Sequence, residues 1–290
     1  IGHRHPKVIA AIKEQLDKYM HLMVYGELVQ SPQVKFAELL TYTLPSPLKS
    51  VYFTNSGSEA IEGALKLAKR FTGRTEIIAC KNAYHGSTQG ALSIMGSENF
   101  KSAFRPLLPD VRFIHFNSLD DIEMISDKTA CVVVESIQGE AGVIVPENDY
   151  LQRLQARCNQ TGTLLIIDEI QSGFGRTGKL FAFEHYKIKP DILTIAKGMG
   201  GGMPLGAFIS SQEIMNSFTN NPVVGLITTF GGHPVCCAAG LAALQVLFEE
   251  ELINKVPEKE KLFRKLLVHP QIKSIRGKGL LLAVEFESAE

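Results

Sequence analysis

Asp168 closes the apolar run Thr163-Leu164-Leu165-Ile166-Ile167, and Lys197 closes a second one, Asp191-Ile192-Leu193-Thr194-Ile195-Ala196, with Gly198-Met199-Gly200-Gly201-Gly202 directly behind it. Such unbroken apolar runs belong to strands of a sheet covered on both faces. A charged side chain at the mouth of such a strand is expensive unless it is paired or hydrogen-bonded. In an open parallel sheet, ligands sit where the carboxyl ends of strands meet helix starts, so both residues point toward the expected site. Opposite charges placed this way mark the chain as an enzyme.

The surrounding sequence supports that sheet. Short β-branched runs alternate with longer stretches of helical period, the pattern of a mostly parallel sheet with helices on both faces, hence an α/β fold. Strands are expected near Val51 to Thr54, Glu76 to Cys80, Val111 to Phe116, Ala130 to Glu135, Thr163 to Asp168, Ile192 to Ala196 and Gly206 to Ser210. Helices are expected near Val8 to Met20, Pro32 to Thr43, Glu59 to Phe71, Asp149 to Thr161 and Pro234 to Glu251. Pro257 and Glu258-Lys259-Glu260-Lys261 mark a change of element. A last strand-like run, Leu280 to Phe286, has no following partner, which suggests an incomplete second domain. The expected division is 1–250 and 251–290. The first residue is not Met, so an earlier segment is expected.

Composition narrows the partners. The 290 residues carry 30 Lys plus Arg against 30 Asp plus Glu, so no global field draws the chain to nucleic acid or an anionic membrane. A small-molecule partner is expected. No run approaches the roughly 18 uncharged apolar residues of a membrane span. Cys80, Cys131, Cys158, Cys236 and Cys237 show no zinc-knuckle spacing and are odd in number, which fits neither a metal site nor a disulfide framework. A reducing cytoplasm is the expected location.

Several motifs are ambiguous alone. Asn55-Ser56-Gly57-Ser58-Glu59 joins a strand to a helix with Ile61, Ala64, Leu65 and Ala68 on one face. Ser56 and Glu59 fit a capping box, and the free N–H groups of such a helix start can hold an anion, helped by the Ser56 and Ser58 hydroxyls. An ordinary cap is the plainer alternative. Gly173-Phe174-Gly175-Arg176-Thr177-Gly178 matches the dinucleotide fingerprint, but it neither directly follows a strand nor opens a helix, so a surface loop is expected instead. There is no G-x-S-x-G elbow and no H-E-x-x-H. His85 is a packing histidine or a site residue, and Tyr84 is core or a ring face for a planar ligand. Glu135 and Glu140 are an acid/base pair or a loop with structural ion pairs.

Pyridoxal phosphate requires what these segments offer together: a lysine for its aldehyde, a helix start for its phosphate, an aromatic face, and a carboxylate that keeps its ring nitrogen protonated. At about 4 Å and an effective dielectric near 20, that carboxylate contributes roughly 4 kcal/mol, enough to keep the ring an electron sink at neutral pH. Taken singly, Lys197 reads as a snorkelling lysine and Asp168 as a turn residue. With the phosphate cradle the balance reverses.

The segments Asn55-Ser56-Gly57-Ser58-Glu59-Ala60, Tyr84-His85-Gly86, Gln138-Gly139-Glu140, Asp168-Glu169-Ile170-Gln171-Ser172-Gly173, Ala196-Lys197-Gly198 and Thr229-Phe230-Gly231-Gly232-His233-Pro234 resemble class III pyridoxal-phosphate aminotransferases along essentially the whole chain. These include acetylornithine, ornithine and 4-aminobutyrate aminotransferases. The resemblance implies a fold-type I large domain with a seven-stranded sheet, followed by the start of a small C-terminal domain. It implies that Lys197 carries the cofactor and shuttles a proton, that Asp168 holds the ring nitrogen, and that Gln171 lies near the ring oxygen. Gly57 and Ser58 would bind phosphate, Tyr84 and Ile170 would pack on opposite ring faces, and His85 and Glu135 would also line the cofactor site. Thr229 would reach the phosphate of the neighbouring subunit's cofactor, so a homodimer with a shared active site is implied. Glu140 would stand on the substrate side. The implied reaction moves an amino group from an ornithine-, acetylornithine- or 4-aminobutyrate-like donor to a 2-oxo acid, with 2-oxoglutarate as the expected acceptor. An aminomutase, a decarboxylase or a catalytically silent cofactor-binding piece are the alternatives. Ser136 departs from the family's common Pro. The family's substrate-binding arginine would lie beyond Glu290, and its N-terminal gating segment before Ile1.

Overall fold

The computed structural model describes residues 1–22, 28–222 and 225–287. Its elements run α1 (Pro6–Lys18), α2 (Ser31–Tyr42), β1 (Ser50–Thr54), α3 (Gly57–Thr72), β2 (Glu76–Cys80), α4 (Gln89–Ser93), α5 (Glu98–Lys101), β3 (Val111–Ile114) and β4 (Thr129–Glu135). Then follow α6 (Tyr150–Thr161), β5 (Leu164–Asp168), β6 (Ile192–Ile195), β7 (Gly206–Ser210), α7 (Gln212–Met215), α8 (Pro234–Glu249), α9 (Val256–Leu266), β8 (Ile272–Lys278) and β9 (Leu281–Phe286). Seven strands form one sheet in the order β1-β7-β6-β5-β4-β2-β3. β2, β3, β4, β5 and β6 are mutually parallel, whereas β7 runs antiparallel to both β1 and β6. The fold class is α/β with a mostly parallel sheet, as the alternation of apolar runs requires.

β4 shows why these runs are strands. Every residue of it is buried, and successive side chains leave opposite faces: Cys131 and Val133 enter the core with α3, Val132 and Val134 the core with α2, α6 and α8. On the first face α3 packs closely, since a Cβ on Gly63 would come within 2.3 Å of the Phe208 ring. On the other, α8 is apolar all round and is covered by α1 and α2. Among the described residues no helix is long and apolar enough to cross a membrane.

Two expectations need correction, and α4, α5, α9 and β8 are elements the sequence reading did not anticipate. The last strand is not unpartnered: β9 pairs antiparallel with β8 through a turn at Gly279, which has φ 61°. β8 escaped notice because Ile272-Lys273-Ser274-Ile275-Arg276-Gly277-Lys278 is mostly polar. Pro257 opens α9, where its missing N–H costs nothing in the first turn. The Gly173–Gly178 segment is a loop, but not a purely surface one, because Gly175 and Thr177 are buried and the Ile253 side chain lies over Gly175. α4 and α5 were missed because helices of 5 and 4 residues carry no full apolar period.

Candidate active site

The carboxyl edge of the sheet gathers the ends of β4, β5 and β6, and there β1 turns through Asn55 and Ser56 into α3. A cavity of about 330 Å³ opens at this edge, within the usual size of small-molecule sites. Gly57, Ser58, Tyr84, His85, Glu135, Glu140, Asp168, Ile170, Gln171 and Lys197 all line it. Thr229 alone of the expected residues does not; it is exposed in the segment before α8. Met203, Pro204 and Leu205 also line the cavity and were not anticipated, although they follow the glycine-rich stretch behind Lys197.

Asp168 is 4% exposed and both of its oxygens are engaged. Oδ1 accepts the Ile170 N–H at 2.9 Å, and Oδ2 lies 2.7 Å from His85 Nδ1. The first bond is a local turn that aims the carboxylate out of the strand. The second joins residues far apart in sequence. Burial pushes the His85 imidazole down, but the hydrogen bond and charge of Asp168, with Glu135 behind, outweigh it and the net direction is up. Asp168 therefore has a partner that can be cationic, which lowers the cost of holding a carboxylate inside.

The start of α3 faces the same cavity. Ser56 is its N-cap, its Oγ accepting the Glu59 N–H at 3.2 Å. The expected capping box is displaced by one residue: Glu59 Oε2 accepts from the Asn55 N–H at 3.0 Å and from Asn55 Nδ2 at 2.8 Å rather than from Ser56. The Glu59 carboxylate thereby ties down the strand exit and leaves the first N–H groups of α3 free for an anion. Two close approaches shape the cradle. A Cβ on Gly57 would come within 2.9 Å of Ile170 Cδ1, and one on Gly86 within 2.2 Å of Ser58 Oγ.

Lys197 stands at the cavity with φ 48°, a left-handed conformation rare for a residue with a Cβ. Such a residue costs about 1–3 kcal/mol and persists only where its surroundings impose it, which clusters these positions at functional sites. Tyr84 is 37% exposed and meets Phe100 edge-on at 6.2 Å, so a ring face is open.

The loop from Glu135 to Ile144 separates the two glutamates by environment. Glu135 is buried; its Oε1 accepts the Gly139 N–H at 3.1 Å. Burial, opposed by His85 and reinforced by Asp168, pushes its carboxyl up to about 7. Glu140 is exposed and accepts from Gln171 Nε2 at 3.1 Å. The Ser136 hydroxyl donates to the fully buried Glu169 carboxylate, a bond that a proline at this position could not make. Glu169 also accepts from Ser172 Oγ at 2.7 Å and from the N–H groups of Ala182 and Phe183 at 2.9 and 2.7 Å. Burial still pushes it up to about 7.

Pyridoxal phosphate fits this donor set. A free helix start with serine hydroxyls suits a phosphate, and a histidine-backed carboxylate suits a ring N–H. Two buried cavity atoms, His85 Nε2 and Glu135 Oε2, have no protein partner, so the site has polar capacity left over.

Comparisons with known proteins agree. The model of the class III aminotransferase family matches residues 1–290. The acetylornithine aminotransferase of Methanopyrus kandleri is 42% identical, over 98% of this chain and 73% of that protein. The ornithine aminotransferase of Toxoplasma gondii, whose active site holds pyridoxal phosphate at partial occupancy, superposes with a TM-score of 0.90 at 33% identity, covering 99% of this chain and 70% of that one. An (S)-enantioselective omega-transaminase from Thermomicrobium roseum gives a TM-score of 0.90 at 31% identity, covering 99% and 71%. A family match along the whole chain, on a fold whose strand ends assemble this cavity, means that the chain belongs to the class III aminotransferases, which are pyridoxal-phosphate-dependent transaminases.

Proposed function

We propose that this protein moves the amino group of an ornithine-, acetylornithine- or 4-aminobutyrate-like donor to 2-oxoglutarate. The observation that carries the reading is the convergence of Lys197, the Asp168–His85 pair, Gln171 and the start of α3 on one cavity. Pyridoxal phosphate supplies the electron sink that stabilises negative charge at the substrate carbon. The chain does the rest. The Lys197 amine would hold the cofactor and, when free, would move a proton to and from that carbon through Nζ. Asp168 holds the proton of the ring nitrogen, and His85 Nδ1 fixes Asp168. Gly57, Ser58 and the N–H groups of α3 bind phosphate. Tyr84 and Ile170 pack against the two ring faces, Gln171 donates to the ring oxygen, and Glu135 adds a buried carboxyl beside the ring. Glu140 faces the substrate.

The same reading takes Thr229 to a neighbouring subunit's phosphate, in a homodimer whose active sites are shared. Its support is the exposed segment around Thr229, with Ile227 and Phe230 58% and 53% exposed beside it. Residues 1–250 are read as the cofactor-binding domain and 251–290 as the start of a smaller one, since β8 and β9 form a separate two-stranded sheet. A cytoplasmic location accords with five buried, unpaired cysteines.

The test supplies each donor, labelled at its amino nitrogen, with 2-oxoglutarate and follows the label. Labelled glutamate is the expected product. Label that stays on the donor's own carbon skeleton, or carbon dioxide released in its place, would overturn the transfer reaction.

A further inference from the structure

We infer that Gly139 is a positioning residue, whose missing side chain is what allows the Gln171 amide to bridge Glu140 and the cofactor site. The inference rests on the proposed reading of Gln171 as donor to the ring oxygen. A Cβ at position 139 would lie 1.4 Å from Gln171 Oε1 and 2.6 Å from its Cδ, so the amide occupies the space any side chain would need. From there Gln171 Nε2 reaches Glu140 Oε1 at 3.1 Å.

When a methyl group is forced in, either the loop or the glutamine must give. The Gly139 backbone is fastened on both sides. Its N–H donates to buried Glu135 Oε1 at 3.1 Å, and its carbonyl accepts from Gly142 at 3.1 Å and Val143 at 3.0 Å. Gln138 and Ile144 close the loop further with a reciprocal pair at 3.0 and 2.9 Å. The only hydrogen bond of the Gln171 amide recorded among the described residues is the one to exposed Glu140. The flexible partner gives way, so a substitution at 139 displaces Gln171 and leaves the loop in place.

The experiment compares the protein with Gly139→Ala, Gln171→Ala and the double variant, each loaded with pyridoxal phosphate. The pH midpoint of the bound cofactor's absorbance is read, together with thermal unfolding. Gln171→Ala is expected to raise the midpoint by about one pH unit, because the ring oxygen is most negative in the deprotonated form, which loses its hydrogen-bond donor. Gly139→Ala is expected to raise it in the same direction, and the double variant to match Gln171→Ala alone. A Gly139→Ala midpoint at the wild-type value, or additive shifts in the double variant, overturns the inference. An unmoved midpoint in Gln171→Ala instead overturns the ring-oxygen reading, and the inference with it. Should Gly139→Ala fail to fold, folding of the double variant supports the inference, and failure of both places the strain in the backbone and overturns it.

Discussion

Glu135 and Asp168 are register partners at the last positions of β4 and β5, so two carboxylates leave the sheet side by side, 5% and 4% exposed. Adjacent buried carboxylates cannot share one environment cheaply. Here the surroundings divide them. Asp168 takes His85 and the Ile170 N–H, while one oxygen of Glu135 is left with no partner and its carboxyl rises to about 7. One strand end is paired with a histidine, and its neighbour is built to hold a proton near neutrality.

Asp168→Asn tests the first half of that division. The amide keeps the shape and the Ile170 contact but removes the charge that, in the proposed reading, would hold a proton on the ring nitrogen. Cofactor is expected to remain bound, and the half-reaction with donor amine, followed in single turnover, to slow by about 10²–10³-fold. A rate within a few-fold of wild type would contradict the assignment.

Lys197 is the proposed cofactor-bearing residue and also holds a left-handed backbone conformation. Lys197→Ala should abolish covalent retention of the cofactor, read as loss of polypeptide-bound chromophore after borohydride reduction and dialysis. Alanine retains the left-handed cost at φ 48°, and glycine does not. Apo Lys197→Gly is therefore expected to be more stable than apo Lys197→Ala by roughly 1 kcal/mol in urea unfolding. Equal stabilities would show that the strain is not stored there.

The strands of the site were legible because a strand buried on both faces is an unbroken apolar run, and the charge that ends it, Asp168 or the lysine just past β6, stands out. The cradle at Ser56 to Ser58 was legible because caps and glycine turns are local chemistry. The Asp168–His85 bond was not, since it joins β5 to a turn after β2 and no local pattern encodes that meeting. Nor was Glu169, which looks like any loop acid until Ser136, Ser172 and two N–H groups are seen to surround it. β8 stayed hidden because its pairing with β9, not its own composition, makes it a strand.

Ser136 provides a check on that buried cluster. Ser136→Ala deletes one of the four donors to Glu169 and leaves a fully buried carboxylate less well satisfied. The expected loss is about 1–3 kcal/mol in urea unfolding of the apo-protein. A change below about 0.5 kcal/mol, the range of an ordinary surface substitution, would show that the other donors suffice.

Glu135 predicts a pH dependence whose sign follows from its environment. Burial raises its carboxyl from 4.5 to about 7, so between these values the folded chain holds a proton that the unfolded chain has released. Stability rises with pH only where the unfolded state binds more protons; here the folded state does, so the contribution is full below about 4.5 and is lost as pH climbs through 7. The span corresponds to about 3 kcal/mol. Glu135→Gln keeps an oxygen for the Gly139 N–H and fills the unpartnered position with an amide that does not titrate. Urea unfolding of the apo-proteins at intervals from pH 4.5 to 8 should show the wild type losing stability relative to Glu135→Gln across that window. Parallel curves would mean that Glu135 titrates like an exposed carboxylate, and the division of roles between the two strand ends would fall.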